Sequence, residues 1–175
     1  IGSAVAKELS QRHEVIIAGH SNSEVQLDIT DVSSIEKMYK KIGRVDGVVA
    51  TTGKVHFGAL PELTGINYQI GLENKLMGQV NLVLTGLSYL NDSGSFTLTS
   101  GVLSHDPIRH GSSASMVNGA IDAFVRSAAI EMPRGLRINA VSPTVVTESM
   151  DRFGNYFRGF EPVSANRVAL AYSKS

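Results

Sequence analysis

The sequence predicts an α/β domain built on a doubly wound parallel sheet. Short apolar runs at 14–18, 45–50, 95–100 and 136–141 alternate with stretches of helical periodicity. Apolar strands separated by helices form a parallel sheet covered on both faces, because each strand has to bury both of its sides. The 175 residues contain no repeat, low-complexity tract or linker, so 1–175 reads as one domain around one core.

The elements follow in order. Ile1, Val5 and Leu9 recur at helical spacing, and this helix runs to about Arg12. A chain that opens inside a helix leads us to expect that a preceding strand and loop are missing. The apolar strand 14–18 closes at Gly19, a polar loop His20-Ser21-Asn22-Ser23 follows, and 24–28 forms a second strand ending at Asp28. Asp31 is placed to cap a helix whose buried face is Ile35, Met38, Tyr39 and Ile42, and Gly43 stops it. Strand 45–50 ends at Thr51-Thr52-Gly53. A loop leads to a long helix at 67–90, then to strand 95–100 ending at Ser100. A helix rich in alanine and glycine spans 114–132, and Pro133-Arg134-Gly135 ends it ahead of strand 136–141. Ser164 caps a last short helix containing Val168 and Tyr172.

Composition excludes several functions. Lysine plus arginine equals aspartate plus glutamate at 16 each, which gives no support for a nucleic-acid partner. There is no cysteine, so disulfides, thiolate nucleophiles and zinc–thiolate sites are ruled out. No apolar run approaches the roughly 20 residues that cross a bilayer, and nothing reads as a signal peptide. The expected setting is the cytoplasm, without membrane or nucleic acid. Ligands of such sheets bind beyond the carboxyl ends of the strands. Here those ends are Gly19-His20, Asp28, Thr51 to Gly53, Ser100 and the loop from Ser142 to Val146.

These segments resemble the short-chain dehydrogenase/reductase superfamily, whose domain is an NAD(P)-binding Rossmann-like fold. Gly2-Ser3-Ala4-Val5-Ala6 is similar to the last glycine of that family's phosphate loop and the helix it opens. Asp28-Ile29-Thr30-Asp31 resembles the element whose first aspartate contacts adenine. The stretch from Val45 to Gly53 resembles the strand that lines the adenosine, with Thr51 and Thr52 before Gly53. Ser100 falls at the place of the active-site serine. Leu136-Arg137-Ile138-Asn139-Ala140-Val141-Ser142-Pro143 resembles the element beside the nicotinamide, which brings Pro143 and Val145 to the cofactor. The resemblance implies a cofactor site of Gly2, His20, Ser21, Asp28, Ile29, Thr51, Thr52, Gly53, Lys75, Pro143 and Val145. By the same resemblance the family's first strand, its glycine-rich loop and its last strand lie outside the chain. An acid after the second strand usually holds the ribose diol of NAD. His20, Ser21 and Asn22 stand there instead, which favours NADP(H) over NAD(H).

The family's chemistry rests on a tyrosine and, four residues later, a lysine. Gly119-Ala120-Ile121-Asp122 resembles the segment just after that lysine, so Ala114 and Asn118 occupy the tyrosine and lysine positions. No tyrosine lies between Leu90 and Asn155, and no lysine between Lys75 and Lys174, so a shift of register restores neither. Lys75-Leu76-Met77-Gly78 resembles the family's Asn-Leu-x-Gly, with Lys75 replacing the asparagine. Lys75 is either a surface lysine or a substitute cation beside the nicotinamide ribose. His105 and His110 are alternative proton donors, or solvated bystanders, in the loop after Ser100. Ser112, Ser113 and Ser115 have no visible paired base and are not read as nucleophiles.

Three functions follow from the resemblance. The first is an oxidoreductase acting on a small carbonyl or alcohol, with Ser100 and Lys75 as catalytic residues. The second is a catalytically inactive NADP-binding sensor or subunit, and the third a scaffold that binds no cofactor. A homodimer or homotetramer through the helices 67–90 and 114–132 is expected. The loop 142–162, with Phe153, Tyr156, Phe157 and Phe160, resembles a lid over an apolar substrate, though its aromatics suit an ordinary helix face or a subunit contact equally.

Overall fold

The computed structural model describes residues 1–21 and 23–175; Asn22 of the cofactor loop lies outside the described residues. The helices are α1 (Gly2–Leu9), α2 (Val32–Ile42), α3 (Gly65–Gln69), α4 (Gly78–Gly86), α5 (Ser112–Ala128), α6 (Met150–Phe153) and α7 (Ala165–Lys174). The strands are β1 (Ala18–Gly19), β2 (Val25–Gln26), β3 (Val45–Val49), β4 (Leu90–Thr99) and β5 (Arg137–Val141). All pairings are parallel: β1 with β2, and β3–β4–β5 with β4 in the middle.

The alternation of β4 shows why the sheet is covered twice. Phe96 and Leu98 point into a cluster with Ile35 and Tyr39 of α2, Val83 of α4, and Val117 and Ile121 of α5. Thr97 and Thr99 point the other way: their hydroxyls meet Ser175 Oγ at 2.8 Å and the Tyr172 hydroxyl at 2.6 Å. On that side α1 and α7 pack together through Val5, Val168, Ala169 and Tyr172. Successive side chains of a strand face opposite layers, so one strand serves both cores. The Tyr39 hydroxyl, fully buried, donates to Leu82 O at 2.8 Å and ties α2 to α4.

Several boundaries differ from the sequence expectation. Residues 14–17 are outside any strand, and Ile16 and Ile17 are exposed. This segment is held mainly by Val25 N–H donating to Ile17 O, so its apolar run finds a partner on one side only. The helix expected at 67–90 starts earlier and is interrupted. Thr64 and Asn67 form a capping box, residues 70–77 are a π-helix, and Leu90 already belongs to β4. Gly78 and Gly86 of α4 face inward. A Cβ at Gly78 would lie 2.7 Å from Ile29, and one at Gly86 would collide with the Tyr39 hydroxyl. The caps at Asp31 and Ser164 are as expected, accepting from Ser33 N and Arg167 N.

Candidate active site

Three of the five predicted strand ends converge on one cleft of about 240 Å³. Thr51, Thr52 and Gly53 follow β3, Ser100 follows β4, and Pro143 and Val145 follow β5. Ala114 and Asn118, one turn apart on α5, form the facing wall, and Lys75 enters from the π-helix. A π-turn inserts an extra residue into the helical cycle and re-aims the side chains it carries, which is why such turns recur at functional sites. Gln79 fixes this helix to the end of β4. Its amide, fully buried, donates to Thr99 O at 3.0 Å and accepts from Thr99 N at 2.8 Å.

Lys75 is not a surface lysine. Its Nζ donates to Asn118 Oδ1 at 2.6 Å and to Ser100 O at 2.8 Å. Burial disfavours the ammonium and lowers its pKa to about 8, while the carboxylate of Asp122 opposes part of that shift. Asp122 lies one turn beyond Asn118 on α5, with one carboxylate oxygen buried and 3.7 Å from His105 Nε2. The sequence analysis did not single out Asp122; its spacing of one helical turn from Asn118 was the available signal. Ser100 is 2% exposed, and its hydroxyl has no hydrogen-bond partner in the structure. Gly53 has φ +136°, and a Cβ there would fall 2.6 Å from Lys75 Cγ, so glycine lets the β3 end pass against the Lys75 stem.

The remaining predicted cofactor residues stand outside this cleft. Gly2 is close to it, since a Cβ at that position would meet Thr51 Oγ1 at 2.8 Å. No side chain caps α1, leaving its first N–H groups without a side-chain acceptor. Asp28 accepts from both Thr30 N (2.9 Å) and Thr30 Oγ1 (2.7 Å), which hold its carboxyl below the usual range, with smaller help from His20 and Lys54. His20 and Asp28 follow the paired strands β1 and β2 at one edge. Ile29 is buried in the core, and Ser21 is exposed.

The other loop candidates separate. The His105 side chain is 73% exposed and faces Asp122. His110 lines a second cleft, described below. Ser112 Oγ pairs with the Tyr68 hydroxyl at 2.9 Å, whereas the hydroxyls of Ser113 and Ser115 are buried without partners. The aromatics of the 142–162 loop anchor it to other parts of the chain and line the clefts. Phe157 is buried with Leu103, Ala114 and Val145, and Phe153 packs against Phe57 with ring centroids 5.6 Å apart. Among the described residues no helix is long and apolar enough to cross a membrane, and no group of three or more metal-ligating side chains occurs.

A parallel sheet with a cleft at its carboxyl edge is the architecture of Rossmann-like folds, and comparison with known proteins makes this more specific. Residues 1–172 match the family described as enoyl-(acyl carrier protein) reductase. The chain belongs to the short-chain dehydrogenase/reductase superfamily. It is similar to an uncharacterized oxidoreductase of Methylorubrum extorquens, 25% identical over 88% of this chain and 72% of that protein. Versicolorin reductase 1 of Dothistroma septosporum is 26% identical over 86% of this chain, which spans 66% of that relative's length. Among solved structures, the protein lin1944 of Listeria innocua is 52% identical, with TM-score 0.97 over 99% of this chain and 87% of that one. A small-chain dehydrogenase solved in complex with NADPH is 25% identical, with TM-score 0.85 over 99% of this chain and 84% of its own.

Proposed function

We propose that this chain transfers hydride between NADP(H) and a carbonyl or alcohol substrate, with Lys75 in the role that a tyrosine and lysine share in the family. The observation that carries this reading is the pair of bonds from Lys75 Nζ to Asn118 Oδ1 and Ser100 O inside the cleft. Lysine and asparagine have exchanged helices: the cation arrives from the π-helix, and the amide from α5. Ala114 leaves the tyrosine position without a functional group.

The residues fit the cofactor. The orphaned Ser100 hydroxyl, the close pass at Gly53 and the polar strand ends form a cradle for the nicotinamide end. NADP(H), when bound there, supplies or accepts the hydride. The chain itself holds the substrate oxygen and moves the proton. Ser100 Oγ, having no other partner, donates to the substrate oxygen. An ammonium has three hydrogens, and Lys75 spends two on Asn118 and Ser100, leaving one for that oxygen. A pKa near 8 makes this a usable acid at neutral pH in the reducing direction and a usable base in the oxidising one. NADP(H) is favoured over NAD(H) because loop 20–23 carries no carboxylate to repel a 2′-phosphate.

A second reading, a cofactor-binding protein without turnover, is favoured by the lack of any tyrosine among the residues lining the cleft. Calorimetric titration with NADPH and NADH, followed by NADPH oxidation over a panel of aldehydes and ketones, separates the two. Binding with turnover that Lys75→Ala removes supports the first reading, binding without turnover the second. If Lys75→Ala changes neither affinity nor turnover, the role given to Lys75 is wrong. We also propose self-association through α4 and α5, which expose Leu84 and Met116 while Gly119 meets nothing within 4 Å. Light scattering at micromolar concentration returning a monomer mass would contradict it.

A further inference from the structure

We propose that the substrate carries an oxyanion, a carboxylate or phosphate, seated in a second cleft where Arg109 and Arg158 converge. This rests on the hydride-transfer reading for its meaning, and on separate residues for its evidence. The cleft, about 520 Å³, opens between the loop before α5 and the segment after α6. Its polar lining is Arg109, Arg158, His110, Asn155 and Tyr156, and no carboxylate lines it. Both arginines are exposed, and among the described residues neither takes part in a salt bridge or side-chain hydrogen bond. The acids next in sequence, Asp106 and Glu161, are exposed and lie outside the lining. Two guanidinium groups from distant parts of the chain line one concavity that has no acid in its lining, which leaves both free to meet an anion. Guanidinium matches carboxylate and phosphate through paired parallel N–H donors.

The backbone keeps this arrangement at a cost. His110 has φ +65°, a region that non-glycine residues seldom occupy. Its carbonyl accepts from Gly58 N at 3.0 Å, and its ring lies 5.8 Å from that of Tyr156. This contact joins the two sides of the cleft. The cleft also adjoins the Lys75 cleft through one apolar wall. Phe157 lines the inner cleft while its neighbours Tyr156 and Arg158 line the outer one. Ile108 and Phe160 of the outer cleft pack in the same cluster as Ala114 and Val145 of the inner one. The proposed substrate would place its oxo group at Lys75 and its anionic tail at the arginines, across this wall.

The test uses the full-length protein with two sets of probes. One is the oxo-carboxylate series from 3-oxobutanoate to 7-oxooctanoate against the matching methyl esters; the other is dihydroxyacetone phosphate against dihydroxyacetone. At least one anion is expected to exceed its neutral counterpart about tenfold in kcat/KM and in calorimetric affinity, the combined effect of two exposed arginine contacts. The set in which the preference appears identifies carboxylate or phosphate. The double variant R109A/R158A is expected to bring the ratio to about one, while Arg126→Ala, an exposed arginine elsewhere on α5, keeps it; matched melting temperatures show that all are folded. Equal binding of anion and neutral form by the natural protein, or a ratio that survives in the double variant, overturns the pocket. Calorimetry with and without NADP⁺ keeps the two ideas apart. Absence of cofactor binding or turnover defeats the hydride-transfer reading, whereas loss of the anion preference defeats the pocket alone.

Discussion

The two clefts spend their cations in opposite ways. In the inner one Lys75 is half-buried, bonded twice and shifted to a pKa of about 8, and glycine at position 53 makes room for its stem. In the outer one Arg109 and Arg158 are exposed and unpaired among the described residues. A buried, fixed ammonium is costly to hold and so suits a proton transfer that depends on geometry. Exposed guanidiniums are cheap, and each contributes little alone. The inner site should thus respond to substitution in rate and the outer one in substrate preference.

The largest effect is expected at Lys75. Lys75→Met keeps the stem and removes the charge, and we expect turnover to fall by about 100-fold or more, as for loss of a general acid. Its melting temperature should not drop, because the variant no longer buries a charge. A fall in rate with an equal fall in stability would instead mark Lys75 as structural. Next is Gly53→Ala, in which the new Cβ collides with Lys75 Cγ at a backbone angle alanine resists. A loss of about 1–3 kcal/mol in urea unfolding is expected; an unchanged midpoint would show that the β3 end yields freely.

Smaller effects sharpen the contrast. Arg109→Ala or Arg158→Ala alone should reduce kcat/KM for an anionic substrate about threefold, with kcat nearly constant; a fall confined to kcat would place them in the chemistry instead. Asp122→Asn removes the carboxylate that favours the Lys75 ammonium. The descending limb of the rate–pH profile should then move to lower pH, and a limb that stays in place would show that Asp122 does not act on Lys75. The linkage sign for stability follows from the same lowered pKa. The folded state holds the Lys75 proton less tightly than the unfolded chain, so the burial penalty is complete below about pH 8. It is relieved as pH rises from there towards the ordinary lysine value.

Much of the fold was legible because the signals were local. The caps at Asp31 and Ser164, the apolar face of α2 and the polar strand ends all depend on residues within a turn of one another. The run at 14–17 was misleading, since an apolar run becomes a strand only where a neighbouring strand pairs with it, and β2 pairs only with Ala18 and Gly19. The π-helix at 70–77 left no trace in periodicity: its departure from 3.6 residues per turn is too short to register. Of the site, Ser100, Lys75, Thr51 to Gly53 and the 143–145 loop were found through the strand ends and the resemblance, and they do share a cleft. The bond between Lys75 and Asn118 was not legible, although both positions had been marked as exchanged. The arginine cleft was invisible, because only the path of the 142–162 loop brings Arg158 to Arg109.

The proton-transfer role of Lys75 is tested most directly by the pH dependence of NADPH-driven carbonyl reduction, compared between the natural protein and Lys75→Met. It predicts a rate that falls as pH rises through about 8 in the natural protein, and a variant that is slow at every pH and lacks this limb. A natural profile that is flat from about pH 7 to 9, or a Lys75→Met variant that keeps the natural rate, would contradict it.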